Sequence, residues 1–452
     1  MADETAVQEF KKRLRGELLR PGDAGYDSTR KVFNAMIDKR PGAIARCVGA
    51  ADVVACVEFA REHDLEVAVR GGGHSIAGKA VCDGGLMIDL SRMKGIRVDP
   101  VRRTVRAEPG LTLSEFDRET QAFRLATTLG VLSTTGIAGL TLGGGLGWLS
   151  GMYGLACDNL ISADVVTADG RLLTASTAEN EDLFWGVRGG SGNFGIVTSF
   201  EYRLHEVGPV LGGAVAYPLD KAREVLRFYR EFASACPDEL STQAGMMRLP
   251  GGPAVAIVGG CYCGSPEEGE KLLKPLRTLS TPVMDLFGVR RYVEMQSMLD
   301  DFFPPGRRQY WKSNFLKAFN DEGIEAASAC FAAAPSPHTF FWFPGEHMHG
   351  TASRVGLTAT AFAHRQYAHN FSIFSQWVDA GDSEKNISWT RQCWDAMKPF
   401  MASGVYVNYL EEEGDPRARE AYAGNYERLV ALKNKYDPTN FFRVNHNIKP
   451  TV

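Results

Sequence analysis

Arg70-Gly71-Gly72-Gly73-His74-Ser75-Ile76-Ala77-Gly78 is the stretch whose residue types say most about chemistry. Glycines let a backbone turn through positive φ and approach a ligand closely. Successive N–H groups in such a loop form a concavity that cradles an anion such as a pyrophosphate. An anion does not need His74, which stands at the tip. On local evidence His74 is either a loop histidine bonded to its neighbours or a nucleophile. A neutral imidazole nitrogen can attack an activated methyl group and form a permanent bond.

Two more glycine-rich segments follow, Gly136–Gly147 and Arg188–Gly195. One such loop is often a plain turn. Three in one half of a chain suggest an extended ligand running along the backbone. None of them has the strand–GxGxxG–helix setting with an acidic residue about 20 positions on, and no Walker lysine is present. A Rossmann site and a P-loop are therefore unsupported.

The elements that must position these loops alternate between strands and helices. Strands are expected at Ala43–Val48, Leu65–Val69 and Leu86–Leu90, with a helix at Ala51–His63. Ile96–Asp99 and Thr104–Ala107 read as a hairpin. Thr112 and Glu115 form a capping box opening a helix to Phe123. Ala163–Thr167 and Leu172–Ala175 flank the turn Asp169-Gly170, and Gly195–Leu204 is a last strand. Beyond 210 the composition changes to an α+β pattern. Helices are expected at Lys221–Ala235, Pro266–Leu279 and Tyr426–Lys435. Strands are expected at Ala254–Cys263, Thr339–Phe343, Phe371–Phe374 and Val405–Tyr409.

Composition bounds the function. The 452 residues are 44% hydrophobic and 23% charged, with a net charge of −4. Lys and Arg are scattered, so neither nucleic acid nor a membrane is an expected partner. Residues 125–157 carry no charge, but they include nine glycines, which disfavour a membrane-spanning helix. A buried ligand loop fits better. Met1-Ala2-Asp3-Glu4 is acidic and has no signal-peptide character. Nine dispersed cysteines fit reduced thiols in a cytoplasmic protein. Cys261 and Cys263 read as structural thiols on one strand face, and His347-Met348-His349 as a loop; no metal site is expected.

The order of these motifs resembles the vanillyl-alcohol oxidase superfamily of flavoproteins. The likeness rests on the 70–78 loop, the 136–147 run, Tyr153-Gly154 before Asp158-Asn159, and the 188–195 segment. The ending narrows it further. Tyr406-Val407-Asn408-Tyr409, Gly424–Leu429, Lys435–Pro438, Asn440–Arg443 and Asn445-His446-Asn447 resemble the berberine-bridge-enzyme-like branch. The likeness covers nearly the whole chain. It implies FAD attached covalently through His74 to the flavin 8α carbon, and an anchored flavin has a raised reduction potential. It implies an α+β fold: a two-part FAD-binding domain (1–207), a substrate domain with an antiparallel sheet backed by helices (208–405), and a C-terminal segment (406–452) that returns to the flavin. It also implies that Arg70, Gly71, Gly72, Gly73, His74, Ser75, Gly78, Gly136, Gly139, Gly143, Gly144, Asn193, Val197, Asn445 and Asn447 bind the cofactor.

Several positions depart from the family pattern. Many members add a second flavin bond from a cysteine, where this chain has Leu132, so a single covalent link is expected. Tyr409 matches the catalytic tyrosine; the other reading is an aromatic packed on a strand. Ser372, ahead of Trp377, is the match to a second acid/base group found in some members. Thr135 stands near the oxygen-reacting face of the flavin and is polar, as in the subgroup that works through a flavin-N5-oxide. The other reading is a threonine that merely packs. The substrate pocket is expected to draw on Tyr310, Trp311, Lys312, Trp342, Arg248 and Tyr409. Three functions follow: an oxidase of a small organic substrate with O2 as acceptor and H2O2 as product, an N5-oxide monooxygenase of a polyketide-like or aromatic substrate, and a non-catalytic flavin binder. The oligomeric state is left open.

Overall fold

The computed structural model describes residues 3–452, and of Asp415 the backbone only; Met1 and Ala2 lie outside the described residues. The first sheet has four strands in the order Glu17–Leu19, Ala43–Arg46, Leu86–Asp89, Val67–Arg70. The last three run parallel, with Leu86 paired to both Ala43 and Val67. The helix Ala50–Glu62 makes the crossover, burying Val53, Val57 and Ala60 on the sheet. This unit points the C-terminal end of Val67–Arg70 into the glycine loop.

A five-stranded antiparallel sheet follows, ordered Ile96–Asp99, Thr104–Ala107, Ile196–Arg203, Leu160–Val166, Leu172–Ser176. The capping box forms as expected: Thr112 Oγ1 accepts from the Glu115 N–H, and Glu115 accepts from the Thr112 N–H at 2.9 Å. The uncharged stretch 125–157 makes only short helices, Ile137–Leu142 and Ser150–Tyr153. No helix among the described residues is long and apolar enough to cross a membrane.

The third unit is an eight-stranded antiparallel sheet. Its central strands are Val210–Pro218, Ala254–Tyr262, Leu240–Arg248, Phe340–Trp342, Asn370–Trp377 and Arg308–Phe315. Alternate residues of a strand face opposite sides. Ala256, Val258, Phe371 and Ile373 pack on the helices Ala222–Ser234, Asp321–Ala332 and Ser383–Met397. Val255, Ile257, Trp311 and Phe374 face the other way, toward Leu132 and Trp148 of the 125–157 stretch. One face of the sheet thus builds its own core, and the other closes over the glycine-rich region.

Besides short strands of two or three residues, three long strands went unread in the sequence: Val210–Pro218, Leu240–Arg248 and Arg308–Phe315. The last two carry Ser, Thr, Gln, Lys and Asn at positions that the sheet buries. Most of those groups find partners outside the sheet: Ser241 accepts from the Gly151 N–H, Thr242 bonds with Tyr229 and Lys312 pairs with Glu413, so burial there leaves no apolar signature. Val405–Tyr409 reads as a strand by alternation, but Val407–Tyr409 is a 3-10 turn. Residues three apart eclipse in a 3-10 turn, which puts the Tyr406 and Tyr409 rings side by side, centroids 4.9 Å apart. A strand would have pointed them to opposite faces.

Candidate active site

The glycine segments come together because two of them touch backbone to backbone. A Cβ on Gly72 would lie 2.5 Å from the Cα of Gly136, and one on Gly136 would lie 2.4 Å from the Gly72 nitrogen. Only two glycines permit that approach. The second and third segments are tied by the N–H groups of Gly189 and Ser191, which both donate to the Leu142 carbonyl, at 3.0 and 2.9 Å. The three loops enclose a cavity of about 280 Å³.

His74 lies on the cavity wall. Its ring stacks on Phe33, with centroids 3.9 Å apart and planes 19° from parallel. Nε2 shares a hydrogen bond of 3.1 Å with Thr134 Oγ1. Burial pulls its pKa down to about 4, so the ring is neutral and nucleophilic near pH 7. Leu132 also lines the cavity, and no described cysteine does.

The positions expected to bind the cofactor divide into two groups. Gly71, Gly72, Gly73, His74, Ser75, Gly136, Gly139, Val197 and Asn445 line the cavity, as does Thr135. Arg70, Gly78, Gly143, Gly144, Asn193 and Asn447 stand behind that lining. Arg70 donates to the Thr29 carbonyl and packs beneath Gly73. Gly143 leaves room for the Asn408 amide. Asn193 orders the C-terminal segment, since Oδ1 accepts from the Ile448 N–H at 3.0 Å and Nδ2 donates to the His446 carbonyl at 3.3 Å. Beneath it lies a buried ion pair, Lys433 Nζ to Asp437 Oδ2 at 2.6 Å, with both side chains at 0% exposure. Asp437 also accepts from the Phe441 and Phe442 N–H groups, and Lys433 donates to the Asn193 and Phe442 carbonyls. This pair sets the wall on which Phe442, Asn445 and His446 face the cavity.

Tyr409 faces the cavity from the C-terminal turn, with its ring edge-on to Trp311 and Phe374. Its hydroxyl donates to Oε1 of Glu346. Burial and the Glu346 charge push the Tyr409 phenol well above its ordinary value, and burial pushes the Glu346 carboxyl up as well. Two acids in contact in a dry site titrate as a pair. Beside them, the Tyr406 hydroxyl accepts from the Gly145 N–H at 3.0 Å and from Asn408 Nδ2 at 2.8 Å.

Glu346 replaces Ser372 as the partner of Tyr409. Ser372 is fully buried and donates to Ser313 Oγ at 3.1 Å; Trp377 donates to Ser383 Oγ. Glu346 is the only formal charge between Glu325 and Arg354. A lone carboxylate in an uncharged stretch is the one signal by which sequence reasoning could have found it. Of the expected pocket residues, Trp311 and Tyr409 line the cavity. Lys312 pairs with Glu413 at 2.6 Å, Tyr310 accepts from Arg391, Trp342 sits in the sheet core, and Arg248 is exposed.

The donor set fits a flavin nucleotide. The loop offers backbone N–H groups, and Oδ1 of Asn445 and of Asn447 is buried without a partner among the described residues.

Comparison with known proteins agrees. The family described as "FAD binding domain" matches residues 41–176, and "Berberine and berberine like" matches 405–449. An FAD-linked oxidoreductase of Dictyostelium discoideum is 33% identical over 98% of this chain and 97% of its own. The (R)-6-hydroxynicotine oxidase of Paenarthrobacter nicotinovorans is 30% identical over 97% of both. The crystal structure of 6-hydroxy-D-nicotine oxidase from Arthrobacter nicotinovorans superposes with a TM-score of 0.89, at 29% identity, over 96% of this chain and 98% of that one. With these relatives and this site, the chain belongs to the berberine-bridge-enzyme-like branch of the vanillyl-alcohol oxidase superfamily, as an FAD-dependent oxidoreductase.

Proposed function

We propose that the chain is a covalent-FAD oxidase in which Tyr409 and Glu346 act together as the base. FAD, when bound, supplies an acceptor for a substrate hydride and passes the electrons to O2, giving H2O2. The observation that carries this reading is the Tyr409 hydroxyl, which faces the cavity and is bonded to a buried carboxylate. The substrate's O–H or N–H proton moves to Tyr409 Oη as the tyrosine's own proton moves to Glu346 Oε1. A phenol of pKa about 10 is a poor base alone; handing its proton to a carboxylate removes that obstacle.

His74 is the anchor. With Nε2–H donating to Thr134, the imidazole lone pair sits on Nδ1, free to form the bond to the flavin 8α carbon. Leu132 contributes packing only, so His74 is the single covalent tether. Gly71–Gly73, Ser75, Gly136, Gly139, Val197 and Asn445 hold the nucleotide directly, with Arg70, Gly78, Gly143, Gly144, Asn193 and Asn447 in support.

Val131, Leu132, Leu146 and Trp311 give the cavity an apolar, aromatic end beside Tyr409. That lining, with the kinship to a hydroxynicotine oxidase, favours a small ring-bearing organic substrate. The unpaired cysteines support a cytoplasmic setting. Thr135 on the cavity wall favours a second reading, a monooxygenase that delivers oxygen into an aromatic or polyketide-like substrate.

Anaerobic addition of alcohols, ring amines and phenols to the holoenzyme tests the first reading. A compound that bleaches the flavin and, in air, yields one H2O2 per molecule consumed supports the oxidase. Substrate consumption without peroxide supports the monooxygenase instead.

A further inference from the structure

A second cavity, of about 10 Å³, lies behind Glu346 and adjoins the main one at Val131 and Leu146. That is the space of one water molecule. Three side chains around it carry a polar atom with no hydrogen-bond partner among the described residues: Glu346 Oε2, His347 Nδ1 and Trp148 Nε1. His347 is 8% exposed and Trp148 2%. The hydroxyls that also line the space are already engaged. Ser150 accepts from the Gly147 N–H at 2.9 Å, Ser241 from the Gly151 N–H at 3.3 Å, and Thr242 pairs with Tyr229 at 2.9 Å.

We propose that this cavity binds one structural water and that Trp148 and His347 are positioning residues that turn it toward Glu346. The inference rests on the reading of Tyr409 and Glu346 as the base. An indole N–H only donates, so Trp148 takes the water's oxygen. Both water hydrogens then point away from Trp148, toward Glu346 Oε2 and His347 Nδ1; the Gln243 amide also lines the space. His347 occupies one hydrogen and thereby directs the other to the carboxylate. A hydrogen bond donated to the charged form favours that form. The water thus keeps Glu346 ionised and ready for the tyrosine's proton, against the burial that opposes it.

Burial, with His369 and His349 beside it, lowers the His347 pKa to about 2 and keeps the ring neutral; in the Nε2–H tautomer Nδ1 accepts from the water. The three rings stack, His347 on His349 at 4.2 Å and on His369 at 4.7 Å. The other titratable groups facing Glu346 are Tyr409 and Tyr406 from the C-terminal turn and Tyr229 from the helix Ala222–Ser234. Burial pushes all three phenols up, and it lowers His369 to about 3. The acid limb is assigned to Glu346, whose carboxyl burial pushes up.

Two measurements on the holoenzyme test this. A high-resolution crystal structure should place a water within hydrogen-bond reach of Glu346, His347 and Trp148. The pH profile of anaerobic flavin reduction should move its acid limb upward by about one unit in Trp148→Phe, a tenfold loss at a fixed pH below the limb. His347→Leu should shift it the same way, while His347→Gln, which keeps an acceptor, should restore the wild-type limb. An empty cavity, or an acid limb that stays in place in a folded Trp148→Phe enzyme, overturns the proposal; if that variant fails to fold, the wild-type density decides. A Tyr409→Phe enzyme that reduces its flavin at the wild-type rate instead overturns the base reading and leaves the water site standing.

Discussion

The hydroxyl of Tyr409 donates to the carboxylate of Glu346, joining the C-terminal turn to the eight-stranded sheet across 63 residues of chain. Tyr409 is presented to the cavity and Glu346 stands behind it. In the proposed reaction Tyr409 meets the substrate and Glu346 receives the proton.

Substitution should separate these roles. Tyr409→Phe is expected to slow anaerobic flavin reduction by about 10²- to 10⁴-fold, the usual share of general base catalysis. Glu346→Gln should fall in the same range with the flavin spectrum unchanged. Stopped-flow reduction of each variant checks this, and an unimpaired Glu346→Gln would refute the paired base.

The pH dependence follows from the direction of the Glu346 shift. Burial holds its carboxyl above the ordinary 4.5. Protonated Glu346 cannot take the tyrosine's proton, so reduction should be fast above that raised pKa and decline as pH falls through it. The acid limb should lie above the usual carboxylate range and should vanish from the residual rate of Glu346→Gln.

The proposed covalent attachment should depend on His74 and on its hydrogen bond to Thr134. After denaturation of His74→Ala, mass spectrometry should find all FAD in the supernatant. Thr134→Val should leave FAD binding intact but slow attachment, because the hydrogen bond that orients the imidazole is lost. Covalent flavin in His74→Ala would reveal a second tether and contradict the role given to Leu132.

The buried pair Lys433–Asp437 is a structural linchpin of the C-terminal wall. Removing one partner leaves a charge uncompensated in the interior, which costs about 3–5 kcal/mol. Asp437→Ala should lower Tm by several degrees and weaken FAD retention, as its carboxylate also holds the Phe441 and Phe442 amides. A matched apolar replacement of both residues should be milder. Thermal melts with and without added FAD would show it.

Local chemistry made much of this protein legible in its sequence. Glycine runs, the Thr112–Glu115 capping box and the Asp169-Gly170 turn act over a few residues, so they can be read from a few residues. The cradle of glycine loops, the FAD-dependent oxidoreductase class and the α+β fold came from such signals and their order. Tertiary structure alone decided which distant groups meet. The Gly72–Gly136 contact explains why both positions are glycine, yet neither segment announces the other. Leu240–Arg248 buries Ser241 and Thr242 because packed helices supply their partners, the Gly151 N–H and Tyr229, and hydrophobic periodicity cannot register that. Tyr409 was found by motif, but its partner was not, because the pairing of a phenol with a lone carboxylate is set by packing of the C-terminal turn on the sheet. Proton chemistry in this site depends on distance and burial, and both are properties of the folded chain.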